Sequence, residues 1–199
     1  DEQNGWTTSA QARSAGRGVF LNNGRFQATT DPSAANKISL LFRGGAGLMN
    51  AGRSGAFDHL AIPTARFGKL AVKMRLTNPG PPPNMLMAIW YHRTYGGSDE
   101  VNQSGLALFG APTNGWAVYI LDLPTLQYTM PDGSLQSGTL ASPLGGTPRP
   151  WHTHSLVRGF ELRAQGTAGY TVPVEVDWVR LTARDGAGAA TMTVNYANC

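Results

Sequence analysis

Apolar and polar residues alternate along several short segments of this chain, a pattern typical of half-buried β-strands. In residues 67–76 every second position is apolar, and the charges lie at positions between them. Successive side chains of a strand point to opposite faces, so this segment predicts an antiparallel strand with one face in the core. The predicted core residues are Leu70, Val72, Met74 and Leu76, and the predicted outer residues are Lys69, Lys73 and Arg75.

Other segments extend this pattern between turns. A hairpin is predicted for residues 18–28, because Asn22-Asn23-Gly24 supports the positive φ that tight hairpin turns need. Residues 85–92 are nearly all apolar, as expected of a central strand covered on both faces. Residues 126–150 are rich in Ser, Thr, Gly and Pro and predict a long loop. Three tryptophans within strands are expected in the core: Trp90, Trp116 and Trp178.

About ten such segments at regular spacing favour an all-β fold, a two-sheet antiparallel β-sandwich (jelly roll). The composition agrees, because 25 Gly, 13 Pro and only 14% charged residues are poor material for helical bundles. We divide the chain into an N-terminal arm with edge strands (1–34), the jelly-roll β-sandwich (35–184), and a linker with a C-terminal strand (185–199).

The net charge of +4 is the difference between 16 basic residues, 13 Arg and 3 Lys scattered along the chain, and 12 acidic residues. This distribution indicates a solvated basic surface and no nucleic-acid partner. The uncharged stretch 102–121 has membrane length, but Pro112-Thr113-Asn114-Gly115 interrupts it, so no membrane span is expected. Cys199 is the single cysteine, which excludes an intrachain disulfide. Because the sequence starts at Asp1, we expect a removed signal peptide and an extracellular or cell-surface location.

The order and spacing of the strand segments, over roughly residues 35–183, carry a resemblance to a known superfamily. The segments are 57–62 with 67–76, then 86–90 with 106–109 and 115–123, then Trp151 with 160–163 and 174–181. Together they resemble the galactose-binding-like jelly-roll domains, which include many carbohydrate-binding modules. The Asp177-Trp178-Val179 run matches an Asp-Trp-hydrophobic ending that is common on the last strand of such domains.

The resemblance implies a carbohydrate partner and, in some members, a structural Ca²⁺ near the chain ends. Asp177 matches the position of the last-strand Asp that holds this calcium, and its acidic partner would be Asp31 or Asp58. We therefore expect a metal at Asp177 and no other cofactor.

Sugar binding requires an aromatic ring for the C–H face of the pyranose and polar side chains for its hydroxyl groups. Two loop segments supply both, and loops distant in sequence can meet at one end of a jelly roll. The predicted ligand-binding residues are Tyr95 with Asp99, Glu100 and Asn102 in one segment, and Trp151 with His152 and His154 in the other.

Alternatives to a non-catalytic extracellular carbohydrate-binding domain remain open. His152 and His154 could share a transition metal if a third ligand arrives from elsewhere. Glu175 and Asp177 share a strand face about 7 Å apart, within the range for a glycosidase pair, although a structural role is favoured. The β-prone run 191–196 suits a structural subunit of a fibre, surface layer or virion, in which a terminal strand completes a neighbour's sheet.

Overall fold

The computed structural model describes the strands and the turns that connect some of them. The described residues are 2–3, 6–8, 18–20, 25–29, 37–42, 62–76, 85–91, 103–109, 115–141, 147–153, 155–157, 159–165, 173–184 and 191–194. In this part of the chain there are β-strands and a single turn of 3₁₀ helix, Trp151–Thr153. The part described contains no helix long and apolar enough to cross a membrane.

The strands are short, apart from β7 and β16. In chain order they are β1 (Glu2–Gln3), β2 (Trp6–Thr8), β3 (Gly18–Phe20), β4 (Phe26–Thr29), β5 (Lys37–Phe42), β6 (Ile62–Pro63), β7 (Phe67–Leu76), β8 (Met85–Tyr91), β9 (Gln103–Phe109), β10 (Ala117–Asp122), β11 (Gln127–Thr129), β12 (Leu135–Ser137), β13 (Thr139–Ala141), β14 (Leu156–Val157), β15 (Gly159–Gln165), β16 (Pro173–Ala183) and β17 (Thr191–Val194).

Two antiparallel sheets enclose one hydrophobic core, which confirms the predicted two-sheet β-sandwich. The first sheet has the order β1-β2-β5-β15-β8-β9-β13. The second sheet has the order β12-β11-β10-β7-β16-β4-β3, and β17 also pairs with β16. Buried residues of both sheets, such as Trp90 from the first and Tyr119 from the second, belong to the same core cluster.

The alternation along β7 is as predicted. Leu70, Val72 and Met74 are buried, while Lys69, Lys73 and Arg75 are only half-buried at the other parity. The inward residues of β10 continue this face, since Met74 pairs with Ala117, Val72 with Tyr119 and Leu70 with Leu121. The side chain of Leu76 lies outside those described.

A short two-stranded sheet closes the sandwich beside the 3₁₀ turn. In it, β6 pairs with β14, and both Ile62 and Val157 are buried. The backbone N–H of Thr64 donates to the carbonyl of Ser155, which ties the turn after β6 to the segment before β14. The side chain of Trp151 is part of the same buried cluster.

Strand β16 contains a β-bulge in its pairing with β7. Val176 pairs with Met74, but the next partner, Lys73, pairs with Trp178, so Asp177 is an extra residue. A bulge of this kind shifts the parity of every following residue by one. As a result, Asp177 and Trp178 are both half-buried, and Val179 returns to the core.

Residues 126–150, expected to be a long loop, contain three strands, so that prediction is wrong. A turn at Pro131-Asp132-Gly133-Ser134 joins β11 to β12, with Gly133 at a φ of 86°. The N–H of Ser134 donates to the Asp132 carboxylate over 2.9 Å and lowers the pKa of that exposed group by stabilising its charge. The Pro-Asp-Gly sequence is itself a turn signal.

The terminal segments of the chain join the main sheets. The predicted hairpin of 18–28 is confirmed by the antiparallel pairing of β3 with β4, although its turn lies outside the described residues. The C-terminal strand β17 pairs with β16 of its own chain. Self-assembly through the terminal strands and the division into three regions both stay predictions.

We expect Met74→Asp to destabilise the protein by several kcal/mol, because it places an unpaired charge in the core. The control is Val118→Asp on the neighbouring strand, where the side chain is 39% exposed on the opposite face. Denaturant titration of both variants measures the difference in unfolding free energy. Equal stability of the two variants would mean that the inner face of β7 has been misassigned.

Candidate functional site

Two tryptophans and a group of charged side chains lie on the outer face of the second sheet. We call this group the tryptophan surface. It extends from the residue before β10, across β7 and β16, to the residue before β4. Its members are Arg25, Lys73, Arg75, Trp116, Glu175, Asp177, Trp178 and Arg180.

The expectation that Trp116 and Trp178 lie in the core is wrong, since both are half-buried. Trp116 has the parity of the exposed residues Val118 and Ile120, whereas the alternate residues of β10 fill the core. Trp178 would face the core by strict alternation from Val176, but the bulge turns it outward. Of the three strand tryptophans, only Trp90 is buried as predicted.

Three cations surround the indole of Trp116. The guanidinium carbons of Arg25 and Arg75 lie 5.0 Å and 5.3 Å from its ring centroid, and the Lys73 ammonium lies 5.8 Å away. All three distances fall within the range of cation–π attraction. Trp116 is therefore held beside several hydrogen-bond donors.

The two carboxylates of β16 hold these cations. Lys73 Nζ lies 2.7 Å from Asp177 Oδ2, and Arg25 Nε lies 3.7 Å from Asp177 Oδ1. Two guanidinium nitrogens of Arg75 approach the same oxygen of Glu175. Glu175 and Asp177 are both half-buried, and each is an ion-pair partner of basic side chains.

Arg180 differs from the other cations of the tryptophan surface. Its guanidinium lies 4.4 Å from the ring centroid of Trp178, and the residue is exposed. In the second sheet its cross-strand neighbours are Ala71 on β7 and Thr193 on β17. Across the described ranges, no carboxylate lies within ion-pair distance of Arg180. Within the described residues, the cations near Glu175 and Asp177 are thus paired with carboxylates, whereas Arg180 is not.

The structure does not support Trp151 as a sugar-stacking residue, so this prediction is wrong. Its side chain is 0% exposed, and its indole N–H donates to the carbonyl of Phe67 over 2.8 Å. It packs edge-to-face on Trp90 with ring centroids 5.6 Å apart. Trp151 therefore anchors the 3₁₀ turn to the core. No local sequence signal identifies this partner, because Phe67 lies 84 residues away along the chain.

Of the remaining predicted ligand-binding residues, the structure describes only His152. His152 is exposed in the 3₁₀ turn. Tyr95, Asp99, Glu100, Asn102 and His154 lie outside the described residues, so their predicted role is untested.

Calcium at Asp177 also stays a prediction. The described ion pairs place two basic side chains on this carboxylate, and their positive charge opposes a bound cation. No group of three or more His, Cys, Asp or Glu side chains that could hold a metal occurs among the residues described. The suggested partners Asp31 and Asp58 lie outside them.

A small cleft lies at one end of β7. Its volume of about 190 Å³ is below the range of roughly 300–1,000 Å³ usual for small-molecule sites. The stem of Arg184 crosses Gly68 so closely that a Cβ there would lie 2.6 Å from Arg184 Cγ. The lining residues are Gly68, Lys69, Asp122, Pro124, Thr125 and Arg184.

No protein-family model and no curated protein matches this sequence. Structures with a similar fold include a Lotus tetragonolobus seed lectin, with a TM-score of 0.48 and 9% identity over 92% of this chain and 95% of the lectin. Another is SCLam, a non-specific endo-β-1,3(4)-glucanase from family GH16, with a TM-score of 0.45 and 10% identity over 90% and 84%. The agarase AgWH50C has a TM-score of 0.44 and 11% identity over 88% of this chain but 22% of the agarase. Similarity at this level carries no conclusion about ligand or activity.

We expect Trp151→Phe to lower stability more than Trp90→Phe. Both substitutions remove the same atoms from a buried tryptophan. The Trp151 N–H has an acceptor, whereas Trp90 Nε1 is buried with no acceptor among the residues that the structure describes. Leaving the Phe67 carbonyl unpaired adds roughly 1–3 kcal/mol to the cost of the first substitution. Thermal and urea unfolding of both variants measures this difference, and a larger loss for Trp90→Phe would contradict the assigned hydrogen bond.

Proposed function

We propose that this protein is a non-catalytic carbohydrate-binding domain and that the glycan binds to the tryptophan surface. The observation that carries the proposal is the half-buried indole of Trp116, with three cations within 6 Å of its centroid. Two carboxylates, Glu175 and Asp177, lie on the same face beside those cations.

This combination matches the two-sided chemistry of a sugar. A pyranose ring presents apolar C–H groups that pack on an aromatic ring, and its hydroxyl groups both donate and accept hydrogen bonds. Arg25 and Arg75 supply donors beside Trp116, and the carboxylate oxygens of Glu175 and Asp177 supply acceptors. Exposed Val118 and Ile120 extend the apolar area along β10. A nucleic-acid backbone fits less well, because its phosphates would meet the two carboxylates as like charges.

The absence of catalysis is part of the proposal. A glycosidase needs one carboxyl group to donate a proton and a second to attack the sugar or activate water. On the tryptophan surface each carboxylate instead pairs with a cation of the sheet. Fixed in this way, Glu175 and Asp177 serve as positioning groups and hydroxyl acceptors. The proposal retains the predicted extracellular location, where polymeric and cell-surface glycans are accessible.

We expect Trp116→Ala to weaken binding of the preferred glycan about tenfold or more, a loss comparable to removing one aromatic stacking partner. A glycan array on the purified protein identifies that glycan, and isothermal titration calorimetry measures the affinity of the variant.

The matched control is Leu135→Ala on β12 of the same sheet, where the side chain is 61% exposed. Its affinity should equal that of the unmodified protein, and circular dichroism should show the same strand content for both variants. Normal binding by a folded Trp116→Ala protein would move the site elsewhere, with the loop segment of Tyr95 as the next candidate. Detectable glycan hydrolysis would overturn the non-catalytic assignment.

A further inference from the structure

The charge distribution on the tryptophan surface points to a class of glycan, an inference that rests on the proposed function. Among the described residues, three of the four cations of this surface pair with a carboxylate, and Arg180 does not. Asp177 and Glu175 pair with Lys73, Arg25 and Arg75 at one end. Arg180 lies at the other end, stacked on Trp178.

Contact with the Trp178 ring restricts the position of the Arg180 guanidinium. A guanidinium packed on an aromatic ring keeps its N–H groups at the ring's edge, where they can bind a planar or tetrahedral anion with paired hydrogen bonds. The cross-strand neighbours Ala71 and Thr193 bring no competing negative charge. Beyond Ala71, the next residue in register is Ile120, which is apolar and 41% exposed.

The dimensions of the surface require an oligomer. Arg180 pairs across from Ala71 on β7, and Glu175 pairs across from Arg75 on the same strand. Four residues of strand separate these positions, a distance of about 13 Å at the usual rise. A ligand that contacts both ends must therefore contain several linked sugar units.

We propose that the protein recognises an acidic oligosaccharide, with a uronate carboxylate or a sulfate ester bound by Arg180 and uncharged sugar units lying toward Trp116. The end that carries Glu175 and Asp177 accepts sugar hydroxyls, and Arg180 selects the anion. Glu175 and Asp177 also disfavour a partner with a negative charge on every unit, such as single-stranded nucleic acid, because they repel those charges.

The test compares ligands that differ only in charge. One arm uses oligogalacturonate and its fully methyl-esterified form, and the other uses a sulfated galactan oligosaccharide and its desulfated form. We expect the charged member of at least one pair to bind about tenfold more tightly at low salt, with the advantage shrinking as ionic strength rises. The pair that shows this effect identifies the anion as a carboxylate or a sulfate.

Arg180→Gln should remove this preference, so that the charged and uncharged members bind equally, while Arg180→Lys should restore part of it. The control Arg66→Gln removes the same charge from an exposed turn outside the tryptophan surface and should change neither affinity. Equal binding of charged and uncharged members, sensitive to Trp116→Ala but not to Arg180→Gln, would overturn the acidic-ligand inference and leave the proposed function standing. Failure to bind any oligosaccharide, or tight binding of a poly-dT oligonucleotide instead, would overturn both.

Discussion

The antiparallel pairing of β16 with β7 fixes both faces of the second sheet. From Val174 opposite Leu76 to Ala183 opposite Phe67, this ladder aligns the two longest strands of the described chain. Its inner side places Val72 and Val179 in the core, and its outer side places Glu175 next to Arg75. A slip of one residue would bury the charges and expose the core, so the burial energy of the inner face also holds the outer face in register.

The bulge within this ladder gives the outer face its chemistry. With a regular strand, Asp177 would face outward, Trp178 would face the core beside Val72, and Val179 would face outward. The extra residue puts Asp177 and Trp178 side by side outside, opposite Lys73, and sends Val179 inward. The bulge also separates the two strands that pair with the other edge of β16. Strand β4 pairs with residues up to Val176, and β17 pairs with residues from Val179 onward.

The parts of this structure that were predictable from the sequence are those with a local cause. The alternation in residues 67–76 identified the inner and outer faces of β7, because charges there occupy a single parity. Trp116 stands beside a strand that is apolar at both parities, so the sequence contains no signal for which side faces the core. Trp178 follows a strict alternation that the bulge breaks, and Trp151 depends on an acceptor, the Phe67 carbonyl, that is distant in sequence. The candidate site was missed because its two tryptophans were assigned to the core by residue type.

The ion pairs of the outer face contribute more to order than to stability. Pairs between half-exposed side chains, such as Lys73 with Asp177, add about 0–1 kcal/mol each, which is small beside the burial of the core. Their effect is to restrict long basic side chains that would otherwise sample many rotamers in solvent. Lys73 and Arg75 are already held beside Trp116 before a ligand binds. Binding therefore costs less side-chain conformational entropy than it would if these side chains were mobile. The carboxylates of β16 thus hold the basic side chains of the binding surface in place. Arg180 contacts the Trp178 ring instead, so its charge stays available to a ligand.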